Sequence, residues 1–138
     1  MPTIRALKGA PEFAELRTLF EMEWKEIDPF VGSDPSIALP SPVGAFSTEK
    51  LIGGLAFTQA PSPTDELPST WINALFVLPE FRGRGIAHQL INYAQRLART
   101  YSTEPLFVYT HLPALYEKSG WVAVRKSQNN TVLAYQNI

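Results

Sequence analysis

The sequence predicts one α/β domain, spanning 1–138, on a mixed and mostly antiparallel sheet of about seven strands with three to four helices around it. Three observations predict it. Short β-branched and aromatic runs alternate with stretches in which apolar residues recur every three or four positions. These segments follow the order strand, helix, strand, strand, strand, helix, strand, helix, strand, strand. A length of 138 residues, 45% hydrophobic and 18% charged, fits one core.

Residues 3–7 read as a first strand. A helix is expected from Pro11 to Ile27, with Phe13, Leu16, Phe20, Trp24 and Ile27 on one face and proline in the first turn. Residues 28–42 carry Pro29, Pro35, Pro40 and Pro42, so a loop is expected there. Val43–Ser47 and Leu51–Gln59 form a hairpin across Thr48, Glu49 and Lys50. Ala60–Ser69 is rich in proline and reads as a second loop, and Thr70–Leu78 as a buried central strand. After the turn at 79–85, Ile86, Leu90, Ile91, Ala94, Leu97, Ala98 and Tyr101 line a second helix. Leu106–Thr110 is a strand and Pro113–Ser119 a short helix that Gly120 can end. Trp121–Lys126 and Thr131–Gln136 close the chain as a hairpin, whose exposed-looking Tyr135 offers an edge for a homodimer.

Composition excludes several classes of function. The formal charge of −1, from 12 basic and 13 acidic residues, gives no general attraction to nucleic acid or to an acidic membrane. There is no cysteine, and His88 and His111 stand far apart, so no metal site is expected. No segment has the roughly 20 apolar residues of a membrane helix, and the N-terminus does not read as a signal peptide. The expectation is a cytoplasmic protein.

The informative segment is Arg82-Gly83-Arg84-Gly85-Ile86-Ala87, between a buried strand and an amphipathic helix. The free N–H groups of the first helical turn, together with the helix dipole, form an anion site. Gly83 and Gly85 let a phosphate approach the main chain, and Arg82 and Arg84 add charge. The spacing does not fit a P-loop, which needs four residues between its glycines and then Gly-Lys-Ser/Thr. A dinucleotide fingerprint would need a third glycine where His88 stands.

Arg-x-x-Gly-x-Ala after Leu-Phe-Val-Leu-Pro-Glu-Phe resembles the acetyl-CoA signature of the GNAT superfamily of N-acetyltransferases. Leu115-Tyr116-Glu117-Lys118-Ser119-Gly120-Trp121 resembles that family's second motif. Element order agrees across nearly the whole chain. The resemblance implies a sheet whose fourth and fifth strands splay apart around the pantetheine arm of acetyl-CoA. It implies that Leu75, Phe76 and Val77 offer the fourth strand's edge to that arm, and that the pyrophosphate sits on the amides of Gly83, Arg84, Gly85, Ile86 and Ala87, with Arg82 and His88 beside them. It further implies direct acetyl transfer to an amine, with Tyr116 as the acid that protonates the departing thiolate.

The base is left open. Many family members carry Glu on the fourth strand, whereas Asn73 and other uncharged residues stand here. His111 is the candidate base by its ordinary pKa and its place at the end of the fifth strand; a surface or capping role is the alternative. Tyr109 replaces the Asn that often opens the second motif. For the acceptor, Glu21, Trp24, Asp28 and Phe30 combine carboxylates and aromatics suited to a cationic amine of a small molecule or peptide, against the plainer reading of solvated carboxylates and a core tryptophan. Two other readings stand beside the enzyme: an acyl-CoA-binding sensor domain of the same fold, and a nucleic-acid module using Arg82, Arg84, Arg96 and Arg99, which the neutral charge disfavours.

Overall fold

The computed structural model describes residues 2–24, 37–102 and 104–135. Its elements are β1 (Thr3–Ala6), α1 (Gly9–Glu21), β2 (Val43–Ser47), β3 (Lys50–Pro61), β4 (Pro68–Val77), α2 (Ile86–Arg99), β5 (Leu106–Thr110), α3 (Pro113–Glu117), β6 (Val122–Lys126) and β7 (Thr131–Tyr135), with a single 3₁₀ turn at Pro79–Phe81. The seven strands form one sheet in the order β1-β2-β3-β4-β5-β7-β6. Every neighbouring pair is antiparallel except β4 and β5, which run parallel and are joined through α2. A parallel pair needs such a crossover, and this one sets the expected α/β class with its mixed sheet.

The start of α1 is built by one carboxylate. Glu12 accepts hydrogen bonds from the Lys8 backbone N–H at 2.6 Å and from both terminal nitrogens of Arg5, at 2.9 and 2.6 Å. The helix therefore begins at Gly9, ahead of the expected Pro11. It ends at Glu21, short of Ile27, in a tightening turn that closes with Trp24 N–H on the Phe20 carbonyl at 2.8 Å. Leu16 and Phe20 are fully buried. Gly54 on β3 leaves room for this helix, because a Cβ there would stand 2.5 Å from a Leu16 methyl. From Leu51 to Phe57 β3 is buried on both faces, so both faces are covered. The Gly54 side faces α1, and α2 packs on the opposite side along β1 to β4.

Thr48 and Glu49 adopt left-handed backbone, and the turn of the first hairpin is these two residues alone; Lys50, expected in the turn, already pairs with Ser47. A two-residue connection of this hand matches the twist of the strands it joins. The loop expected over Ala60–Ser69 is shorter. The β3–β4 ladder runs on to Pro61↔Pro68 and closes with Ser62 N–H on the Leu67 carbonyl at 2.8 Å. Proline is tolerated there because a strand end asks for no N–H donation. Tyr135, expected on the surface, is half-buried against the Trp121 ring at 5.8 Å. The exposed apolar residues of that hairpin are Val122 and Val124 on the edge strand β6. Among the described residues no helix is long and apolar enough to cross a membrane.

Candidate active site

The sheet opens where β4 leaves β5. The two strands pair only at Trp71↔Phe107 and Ile72↔Val108. On its other side β4 stays paired with β3 from end to end, with one irregularity: Ile72 faces Phe57 and Ala74 faces Ala56, which leaves Asn73 without a partner. Asn73 is thus the extra residue of a β-bulge. A bulge bends its strand and increases the local twist. Here it falls at the point where β5 departs, so β4 swings away from β5 over residues 73–77.

That segment of β4 has one free edge, and the backbone alternates along it. The Phe76 carbonyl points toward β3, 2.8 Å from where a Cβ on Gly53 would stand. By alternation the Leu75 and Val77 peptide groups face the gap. The Val77 carbonyl already accepts from Arg82 Nε at 2.7 Å, whose guanidinium lies 5.2 Å from the Phe76 ring centre. Of the expected trio, Leu75 therefore presents a free N–H and C=O to an incoming extended ligand, and Phe76 does not. Phe76 instead supports the edge from behind, since Trp24 packs edge-on against it at 6.4 Å and Phe20 against Trp24 at 5.9 Å.

The second component follows directly. Gly83 and Gly85 have φ of +78° and +81°, a conformation that glycine adopts without strain. A Cβ at either position would meet nothing within 4 Å. Backbone conformation, not crowding, calls for glycine, and the space in front of these residues is open. Gly85 provides no side-chain cap to α2, and the first bond of the helix is Gln89 N–H to the Gly85 carbonyl at 3.1 Å. The amides of Ile86, Ala87 and His88 are left without helical partners at the positive end of the helix dipole. The Ile86 side chain is buried in the core, so only its main chain can serve a ligand. Arg84 is exposed, with its guanidinium 5.3 Å from the Phe81 ring centre.

The third component is Tyr116 on α3. Pro113 starts this helix, and Gly120 at φ +93° turns the chain out of it. The Tyr116 carbonyl accepts from Ser119 N–H at 2.9 Å and Trp121 N–H at 3.3 Å. The Tyr116 ring is buried and meets Trp121 edge-on at 5.2 Å. Its hydroxyl has no hydrogen-bond partner among the described residues, yet it is not among the sealed unsatisfied polar atoms, so it retains contact with solvent. Burial pushes its pKa well above the usual phenol value of 10.0. Such a group is an acid at every physiological pH and does not act as a base.

The remaining expected residues scatter. His88 is half-buried, with Nδ1 3.2 Å from Ser119 Oγ, and ties the first turn of α2 to the end of α3. His111 is exposed just past β5 and makes no hydrogen bond among the described residues. Glu21 is exposed at the end of α1, and Trp24 belongs to the aromatic stack behind β4. Asp28 and Phe30 lie outside the described residues. Two residues escaped the sequence reading as parts of this region: Asn73, as the bulge, and Gln95, whose carbonyl oxygen accepts from Trp121 Nε1–H at 2.6 Å in the interior. The signal for Gln95 was present as a polar residue on the buried face of α2.

The gap, the bare amides of α2 and the phenol of α3 all follow the carboxyl ends of the two splayed parallel strands, where open α/β sheets hold ligands. A mixed sheet splayed in this way and carrying such a helix start defines the acetyltransferase class of fold. The chain belongs to the Acetyltransferase (GNAT) family, whose sequence profile matches residues 10–121. Among curated proteins no relative matches. Solved structures agree on the fold. The GNAT family N-acetyltransferase YhbS from Escherichia coli, in complex with CoA, is 18% identical with a TM-score of 0.77 over 99% of this chain and 82% of that one. A GNAT family acetyltransferase from Brucella melitensis, in complex with acetyl-CoA, is 20% identical with a TM-score of 0.69 over 98% and 88%. Arabidopsis thaliana NAA60, in complex with a bisubstrate analogue, is 16% identical with a TM-score of 0.67 over 99% and 98%.

Proposed function

We propose that this protein is an acetyl-CoA-dependent N-acetyltransferase that moves the acetyl group directly to a primary amine of a small molecule or peptide. The observation that carries the reading is the coincidence of the Asn73 bulge, which frees the Leu75 peptide edge, with the uncapped amides of residues 86–88 one connection later. The residues fit the co-substrate. An extended pantetheine arm can pair with Leu75 as an added strand. A diphosphate suits three free amides at a helix start, with the exposed Arg84 guanidinium in the same turn.

The chemistry divides between two groups. Amides of the free strand edge can hydrogen-bond the thioester oxygen as negative charge gathers on it. The Tyr116 phenol, protonated and in reach of solvent, gives its proton to the sulfur as the carbon–sulfur bond breaks. The amine attacks as the neutral form and loses a proton after the bond to the acetyl carbon forms. His111 is the candidate acceptor of that proton, being exposed at the end of β5. Peptide acceptors enter the proposal through the bisubstrate analogue held by NAA60.

The decisive experiment is thiol release from acetyl-CoA across a panel of amines, polyamines, amino acids and peptides. Release that depends on one acceptor class supports the enzyme. A specific observation favours a second reading, an acyl-CoA-binding sensor domain: the splayed segment of β4, residues 73–77, carries no carboxylate. The same assay separates the two, since the sensor binds coenzyme A in calorimetry and releases no thiol with any acceptor.

A further inference from the structure

Gln95 is a polar side chain on the buried face of α2, only 8% exposed among Leu90, Ile91, Ala94 and Ala98. Burying an amide there is costly unless it is hydrogen-bonded. Its partner is Trp121, itself 3% exposed, whose Nε1–H donates to Gln95 Oε1 at 2.6 Å. For packing alone, two apolar side chains would serve. What the polar pair adds is a fixed rotation of the indole ring about its own axis.

That rotation matters because of what the indole touches. The Tyr116 ring stands against it at 5.2 Å and 70°, and Tyr135 flanks it at 5.8 Å. The Tyr116 hydroxyl has no protein partner among the described residues, so nothing holds the phenol at its tip and its direction is set from the side. A second fixed point lies nearer the helix start, where His88 Nδ1 meets Ser119 Oγ at 3.2 Å. His88 and Gln95 stand roughly two turns apart on one face of α2. Between them they hold the segment 116–121 along the helix.

We propose that Gln95 is a positioning residue of the acetyl transfer, holding Trp121 and through it the Tyr116 ring, so that the helix offering its amides to the coenzyme also sets where the phenol stands. This rests on the reading of Tyr116 as the acid. Small displacements of a catalytic group cost rate more than binding.

The test is a double-mutant cycle read as kcat and KM for acetyl-CoA, with melting temperature as a control. Gln95→Met keeps the volume and removes the acceptor. It is expected to lower kcat by on the order of tenfold at unchanged KM. Gln95→Glu, which restores an acceptor oxygen, should recover most of the loss. In a Tyr116→Phe background Gln95→Met should have no further effect on kcat, which a merely structural role would not produce. Should Gln95→Met not fold, Trp121→Phe removes the donor instead and is measured in the same cycle. Wild-type kcat in the Gln95 variant beside an impaired Tyr116→Phe would overturn this inference alone, as would a loss that persists undiminished in the Tyr116→Phe background. Wild-type turnover in Tyr116→Phe would overturn the acid and this inference together.

Discussion

At the scale of single residues, Tyr116 carries the most chemistry. Replacing it with Phe deletes one oxygen and leaves the ring against Trp121. Turnover is expected to fall about 100-fold, within the usual range for a general acid, while coenzyme A affinity by calorimetry stays unchanged. Equal turnover would remove the phenol from the mechanism. The same burial has a stability consequence. Because the folded-state pKa is raised, folding holds this proton more tightly than the unfolded chain does. The stability this represents is fully present below pH 10 and is lost as pH rises beyond it. Melting temperature measured upward from pH 9 should fall less steeply for Tyr116→Phe than for wild type; parallel curves would show that another group governs the alkaline limb.

At the scale of elements, α1 hangs on the Glu12 carboxylate and β4 on its bulge. The Arg5 guanidinium, and after it the Lys8 N–H, hold Glu12 at about 2, below the usual 4.5. A depressed carboxylate stabilises the fold above pH 4.5 and loses that contribution as pH falls toward 2. Glu12→Gln should therefore lower the melting temperature at neutral pH and flatten its acid limb between pH 4.5 and 2. Deleting Asn73 makes the opposite kind of test. Without the extra residue β4 can continue its ladder with β5, closing the gap. Coenzyme A affinity is expected to drop at least tenfold while circular dichroism and cooperative melting persist, since the residues on either side of Asn73 keep their partners on β3. A deletion variant that still binds at wild-type affinity would show that the splay has another cause.

At the scale of the whole molecule, ligand and stability are linked. Coenzyme A binding only the folded chain should raise its stability by about 2.7 kcal/mol at a hundredfold excess over Kd, and Tyr116→Phe should show the same rise. A thermal shift absent in both proteins would refute the coenzyme site. Much of this molecule was legible in the sequence because the relevant signals are local. Helical spacing marked α2, and two glycines before an apolar helix marked the bare amides. Three things were not legible, each for a physical reason. The bulge at Asn73 is a cross-strand register shift, and a register belongs to two segments at once. The extension of β3 and β4 to Pro61 and Pro68 was hidden because proline reads as a breaker unless one knows it stands at a ladder's end. The bond between Gln95 and Trp121 joins residues far apart in the chain. The acceptor side was the least legible of all, since Glu21 and Trp24 turn to solvent and to core and Asp28 and Phe30 fall outside the described residues.

The paired glycines of β3 have a consequence that reaches the ligand without touching it. Gly53 admits no Cβ because the Phe76 carbonyl would stand 2.8 Å away, and Gly54 admits none because Leu16 would stand 2.5 Å away. The sheet is thus at its thinnest directly behind the strand that offers its edge. A methyl group added at 53 has only β4 to push, and β4 can yield only toward the gap. Tuning how wide the enzyme opens its grip is therefore work for the neighbour one strand back, where a change of a few atoms shifts the free edge while every ligand-facing group keeps its identity.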